Sequence, residues 1–187
     1  MKTLRYFILL FICCSISCQN NRDSFSFDKD GNDIRITLEK QSDSLFHLNL
    51  FVNDCLNSTW PLAYPVYQFD YGDVADNACP EIAVGVIKPT RYDTKPDKRL
   101  FIFRITDDYY IRPLWLGSRV SQPLEDFHIV KGKNQSLIRT IEKEPDGTYL
   151  VAEYKWRGFG LEHICYIERN IDIQRASNLL CDESVQN

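Results

Sequence analysis

Glu81-Ile82-Ala83-Val84-Gly85-Val86-Ile87 and, beyond a polar connection, Arg99-Leu100-Phe101-Ile102-Phe103-Arg104-Ile105 decide the reading of the fold. Apolar side chains fill successive positions in both runs, so a strand made from either buries both of its faces. Both runs are short and rich in β-branched or aromatic residues, which favours strand over buried helix. The flanking segments alternate instead. Ile34, Ile36 and Leu38 share one face of 33–39, and Phe46, Leu48, Leu50 and Val52 oppose His47 and Asn49 in 46–52. Period-two patterning of this kind marks half-buried strands. Further strands are predicted over 66–69, 109–116, 126–130, 137–142, 148–156 and 161–168.

Turn chemistry separates these runs. Asn53-Asp54, Asn57-Ser58 and Asp107-Asp108 read as turns, and Pro145-Asp146-Gly147 reads as a hairpin turn. There proline presets φ and glycine accepts φ > 0. Helical periodicity is nowhere sustained over three turns, and 173–180 is the single helix candidate. About ten strands joined by short turns favour antiparallel pairing. Residues 66–116 and 125–168 each hold four strands, and the matching pairs Ile82/Leu137, Arg99/Thr148 and Tyr110/Leu161 lie about 50 residues apart. The expected fold is therefore all-β, in antiparallel four-stranded units with little helix, propeller-blade-like or a β-sandwich. A closed ring takes about four to eight blades, and this chain has room for three at most, so stacked sheets or a sandwich are expected.

The chain has 187 residues, 22 basic and 26 acidic side chains and a net charge of −4. At 44% hydrophobic and 26% charged it has ordinary globular composition, which excludes disorder along its whole length. The acidic balance excludes a protein built to neutralise nucleic-acid phosphates.

Residues 1–17 read as an export signal. Lys2 and Arg5 precede the apolar run from Phe7 to Ile16, which is far shorter than the about 20 residues a spanning helix needs. Ser15-Ile16-Ser17-Cys18 resembles a loose bacterial lipobox, with serine where leucine is common. The resemblance implies a lipoprotein whose mature chain starts at an acylated Cys18, anchored stably because it carries more than one acyl chain. Gln19 in place of aspartate favours the outer membrane of a Gram-negative cell. The expected organisation is a signal over 1–17, a lipidated cysteine and flexible tether over 18–30, one all-β domain over 31–175 and a tail over 176–187. Cys55, Cys79, Cys165 and Cys181 allow one or two disulfides in an exported chain, with three full pairings open.

Gly72-Asp73-Val74-Ala75-Asp76-Asn77-Ala78-Cys79-Pro80-Glu81, followed by the apolar run 82–86, resembles the loop and strand of FG-GAP/VCBS-type repeats. In that family the loop can hold Ca²⁺, which needs hard oxygen ligands at alternating positions. Asp73, Asn77 and Glu81 match positions one, five and nine. Ala75 offers no oxygen at position three, and Ala78 replaces the usual glycine at position six. The expectation is a loop that keeps its turn without the cation, so no cofactor is assigned. Much of 65–168, including 80–90, 99–104, 112–119 and 152–160, is also similar to a group of uncharacterised bacterial lipoproteins, a resemblance that implies location and architecture but no activity.

No catalytic residues are assigned. His47, His128 and His163 each lie on strands, and no nucleophile elbow, P-loop or dinucleotide-binding glycine set occurs. Glu153 is the one carboxylate singled out for testing. Trp115, Trp156 and Phe159, with Arg157 and Arg119 beside them, form a candidate ligand-binding set, since aromatic faces with arginine neighbours suit sugar rings. The competing reading has the tryptophans fill the core or the seam between sheets. Lys88, Arg91, Lys95, Lys98 and Arg99 make a basic connection suited either to an acidic partner or to solvent. The resulting expectation is a non-catalytic binding or assembly module of the envelope that meets a glycan or a partner protein. The alternatives are a glycan-active hydrolase with dispersed carboxylates and a purely structural envelope lipoprotein.

Overall fold

The computed structural model describes residues 23–91, 94–117 and 120–182. Twelve strands precede one helix: β1 Ser24–Lys29, β2 Asn32–Ser42, β3 Leu45–Val52, β4 Cys55–Leu62, β5 Val66–Gly72, β6 Glu81–Lys88, β7 Asp97–Ile105, β8 Ile111–Leu116, β9 Leu124–Val130, β10 Leu137–Lys143, β11 Tyr149–Trp156, β12 Leu161–Ile171 and α1 Ile173–Leu180. They form three antiparallel four-stranded meanders, β1–β4, β5–β8 and β9–β12, each in chain order. The all-β class and the four-stranded units are as the sequence predicts.

The three sheets stack face to face, and the pleat shows why. In β6, Ile82, Val84 and Val86 enter a core shared with the first sheet, while Ala83 enters a core shared with the third. In β7, Phe101, Phe103 and Ile105 join the first core, and Leu100 and Ile102 join the second. Successive side chains point to opposite faces, so a run apolar at every position makes a sheet buried on both sides. The third sheet repeats the arrangement. Leu150, Ala152, Tyr154 and Trp156 face the second sheet, and Val151 faces α1 beside Ile141, Ala176, Leu179 and Leu180. The layer order is first sheet, second sheet, third sheet, helix.

Two boundary expectations are corrected. The tether over 18–30 does not extend to residue 30: Ser24–Lys29 is a strand in register with β2, because Phe25 and Phe27 alternate onto the first core. Residues 18–22 of that tether, Cys18 among them, and the signal lie outside the described residues. The tail over 176–187 does not begin at 176, since α1 buries Ala176, Leu179 and Leu180 against the third sheet. A helix of eight residues is marginal by itself. Packing and the Asp172 side chain, which accepts from the Arg175 N–H at 2.8 Å, hold it. Strand β4 replaces a turn expected at Asn57-Ser58.

Close packing between the second and third sheets centres on Gly85. A Cβ there would lie 2.6 Å from the Tyr67 ring, which is held between the sheets against Phe127. An added methyl group would have to displace that ring from its edge contact with Phe127. We expect Gly85→Ala to destabilise the fold by about 1–3 kcal/mol, as overpacking does. Urea unfolding would register this as a lower midpoint, and an unchanged midpoint would contradict the packing.

Candidate functional site

The loop between β5 and β6 brings Asp73, Asn77 and Glu81 together. Its carboxylates are turned onto the loop's own backbone. Asp73 accepts from the N–H groups of Asn77 (3.0 Å) and Ala78 (2.9 Å). Glu81, 1% exposed, accepts from the N–H groups of Val74 (2.9 Å) and Ala75 (3.0 Å) and from Asn77 Nδ2 (3.1 Å). Asn77 Oδ1 accepts from the Cys79 N–H. These side-chain oxygens thus satisfy amides of the loop itself. Burial pushes the Glu81 carboxyl above the ordinary range, against the pull of these hydrogen bonds. Asp76 and Ala78 adopt φ of +56° and +60°, the left-handed region that glycine ordinarily occupies.

The exposed aromatic platform expected at Trp115 and Trp156 is not formed. Both are 9% exposed and belong to the core between the second and third sheets. Trp156 shares the pleat parity of Leu150, Ala152 and Tyr154, which is the physical reason and was legible in the alternation of 148–156. Phe159 is the opposite case, 93% exposed at the tip of the β11–β12 hairpin. Gly158, at φ +77°, sits at the first central position, where tight two-residue hairpin loops favour glycine. The Arg157 N–H donates to the Gly160 carbonyl across the turn at 2.9 Å. Arg157 is 70% exposed at its side chain and, with Lys155, pairs with Glu162. Arg119 lies outside the described residues. Of the expected binding set, Phe159 and Arg157 remain together on the surface.

Glu153 is 3% exposed and consumed by structure. One of its carboxylate oxygens accepts from Arg139 Nε (3.1 Å) and Nη2 (2.8 Å), while Arg139 Nη1 donates to the carbonyls of Leu179 and Asp182 at 2.7 Å each. Arginine thereby ties the third sheet to the C-terminal end of α1. On the opposite face, fully buried Glu142 accepts from the Gln122 N–H, Thr140 Oγ1 and Tyr154 Oη at 2.5, 2.7 and 2.8 Å. Burial raises the Tyr154 phenol far above its ordinary value. Arg139 and Glu142 went unnoticed in the sequence, although their place in the second strand of a four-stranded unit signals burial on both faces.

Two lysines of the basic connection are likewise engaged. Lys88 Nζ lies over the rings of Tyr64 and Phe101, and Lys98 Nζ donates to the Glu125 side chain and carbonyl. Among the described residues, no three His, Cys, Asp or Glu side chains gather where a metal ion would be held. A shallow cavity of about 10 Å³ lies between Lys98, Leu100, Trp115, Gln122 and Leu124, roughly the room of one water.

The sequence also missed the seam between the second and third sheets. Strand β9 presents an open edge there, and β5 covers it with side chains. Gln68 Nε2 donates to the Phe127 carbonyl at 3.3 Å, and Asp70 accepts from the Ile129 N–H at 2.7 Å and from His128 Nδ1 at 2.6 Å. The Asp70 hydrogen bond raises the His128 pKa above the ordinary histidine value, opposed by burial. Asp126 and Arg139 also bear on the imidazole, with opposite signs. Because the folded-state pKa is raised, this contribution to stability is complete below the unfolded-state value and is lost as pH rises through the folded one. We expect stability to fall between about pH 6 and 8 in the native chain, and to fall less in His128→Gln. Denaturation midpoints at both pH values measure it, and equal slopes in the two proteins would exclude the clasp. No family model, curated protein or solved structure matches the chain.

Proposed function

We propose that this chain is a lipid-anchored, non-catalytic binding module of a bacterial envelope, holding a glycan or a partner protein at the tip of the β11–β12 hairpin. The observation that carries the reading is the almost fully exposed Phe159, set between two glycines beside Arg157. An aromatic ring left in water at the end of a hairpin contributes nothing to the core, whereas aromatic and arginine side chains dominate contact surfaces. Other large aromatics of this region, Trp115, Trp156 and Tyr154, are buried. Two buried carboxylates that a hydrolase could have used are engaged in the structure, Glu81 by the Val74 and Ala75 N–H groups and Glu153 by Arg139. The anchor rests on Cys18 and its resemblance to a lipobox, followed by the few polar residues that lead into β1.

The test uses the full chain extracted from membranes in detergent, applied to a glycan array and to envelope proteins in pull-down. Phe159→Ser is expected to weaken capture at least about tenfold, the loss of a contact residue worth about 1.4 kcal/mol or more. Its melting temperature should not move, since a surface substitution stays within about 0.5 kcal/mol. Undiminished capture by the variant removes the hairpin from the contact. In the same cells, Cys18→Ala should shift the protein from the membrane pellet to the soluble fraction. Retention in the pellet would sink the anchor.

A further inference from the structure

The layer order restricts which cysteines can meet. Cys55 begins β4 in the first sheet, and Cys79 packs against the core between the first and second sheets. Cys165 lies on β12 of the third sheet, and Cys181 caps the C-terminal end of α1 on that sheet's outer face. Packed sheets lie about 10 Å apart, whereas disulfide-bonded residues need Cα atoms within about 7 Å. A bond from either Cys55 or Cys79 to the outer face of the third sheet would have to cross at least one whole sheet. Two of the three full pairings are thereby excluded, and Cys165 with Cys181 is the one combination placed on a single face of a single layer.

That face carries both residues. Arg139 is directly opposite Glu153 in the β10–β11 register, and Glu153 is directly opposite Cys165 in the β11–β12 register. The three side chains therefore form one cross-strand row on the helix-bearing side. Arg139 bonds both Glu153 in that row and the carbonyls of Leu179 and Asp182, which bracket Cys181 in sequence. Cys181 also packs against the cluster beneath the helix, with Ile167 and Ile171 of β12.

We propose that Cys165 and Cys181 form a disulfide that fastens α1 to the third sheet. In the step, each thiol gives up its proton, an Sγ–Sγ bond forms, and two electrons pass to a disulfide oxidant. That oxidant, oxidised glutathione or a thiol–disulfide exchange protein, leaves as two thiols. The bond would close a short loop around a helix that is marginal by itself, the setting in which a cross-link restrains the unfolded chain without distorting a sheet. The pairing follows from the layers, whichever compartment holds the chain.

The purified full chain, equilibrated in a glutathione redox buffer, alkylated and digested without reductant, tests this by peptide mapping. A linked peptide joining Cys165 to Cys181 is the expected result, with a melting temperature about 5–10 °C above that of the reduced protein. Alkylation of both Cys165 and Cys181 under oxidising conditions overturns the proposal, and so does a link from either one to Cys55 or Cys79. The mapping needs no variant, so a folding defect in Cys181→Ser cannot obscure it. That variant should lose the linked peptide and the redox-dependent shift in melting together.

Discussion

The structure depends on one constraint, the burial of the second sheet on both faces. Even-numbered residues of β6 face the first sheet and odd-numbered ones the third. A slip of one residue in register would exchange the two sets. Ala83 and Gly85 would then face the core that Ile82, Val84 and Val86 now fill, while the bulkier side chains met the Tyr67 ring. Each fully buried aliphatic side chain contributes about 1.5–3 kcal/mol relative to exposure, so a mistake in register costs many such terms at once. The flanking sheets inherit their orientation from this one, since each has an apolar face that only the second sheet covers.

Charge serves the same architecture. Leaving a buried N–H unpaired costs about 1–3 kcal/mol, and the chain meets that requirement with carboxylates where strands and loops run out of backbone partners. Glu81 and Asp73 close the loop entering β6. Asp70 closes the edge of β9, and Glu142 accepts the Gln122 N–H ahead of the same strand. Arg139 does the converse and satisfies carbonyls at the end of α1. Buried ion pairs such as Arg139–Glu153 add little net stability against an apolar alternative. Their value here is geometric, because the pair fixes where the helix ends.

The legible parts of the fold were those in which periodicity and position agree. Residues 81–87 and 99–105 announced a doubly buried sheet, and 173–180 announced the helix at its observed limits. Strand β4 was hidden because Asn57, Ser58 and Pro61 are turn formers; on an edge strand, polar residues face solvent and a missing N–H is tolerated. Strand β1 was hidden by its polar neighbours, although Phe25 and Phe27 alternate. Within the candidate sites, the Asp73 loop was legible as a turn because its motif is local. The Asp70–His128 clasp and the Arg139–Glu153–helix tie were not, since they join residues whose proximity depends on how whole sheets stack. Trp156 was ambiguous by residue type and decided by parity.

Edges explain what remains on the surface. A four-stranded meander exposes two of them, and an open edge invites pairing with another chain. Side chains of β5 cover β9, and across the first seam Asn57 and Ser58 of β4 bond the Tyr109 carbonyl and the Ile111 N–H. Among the described residues, strand β12 has no further strand beside it. It is instead irregular, with register shifts against β11 at three places and Glu162, His163, Glu168 and Arg169 along its length. Bulges and charges of this kind blunt strand addition. The hairpin leading into β12 nevertheless ends in Phe159. The chain thus blunts its longest edge against strand addition, yet it holds a phenyl ring in water at the tip of that edge, so the protection that bulges and charges give β12 does not extend to the turn that leads into it.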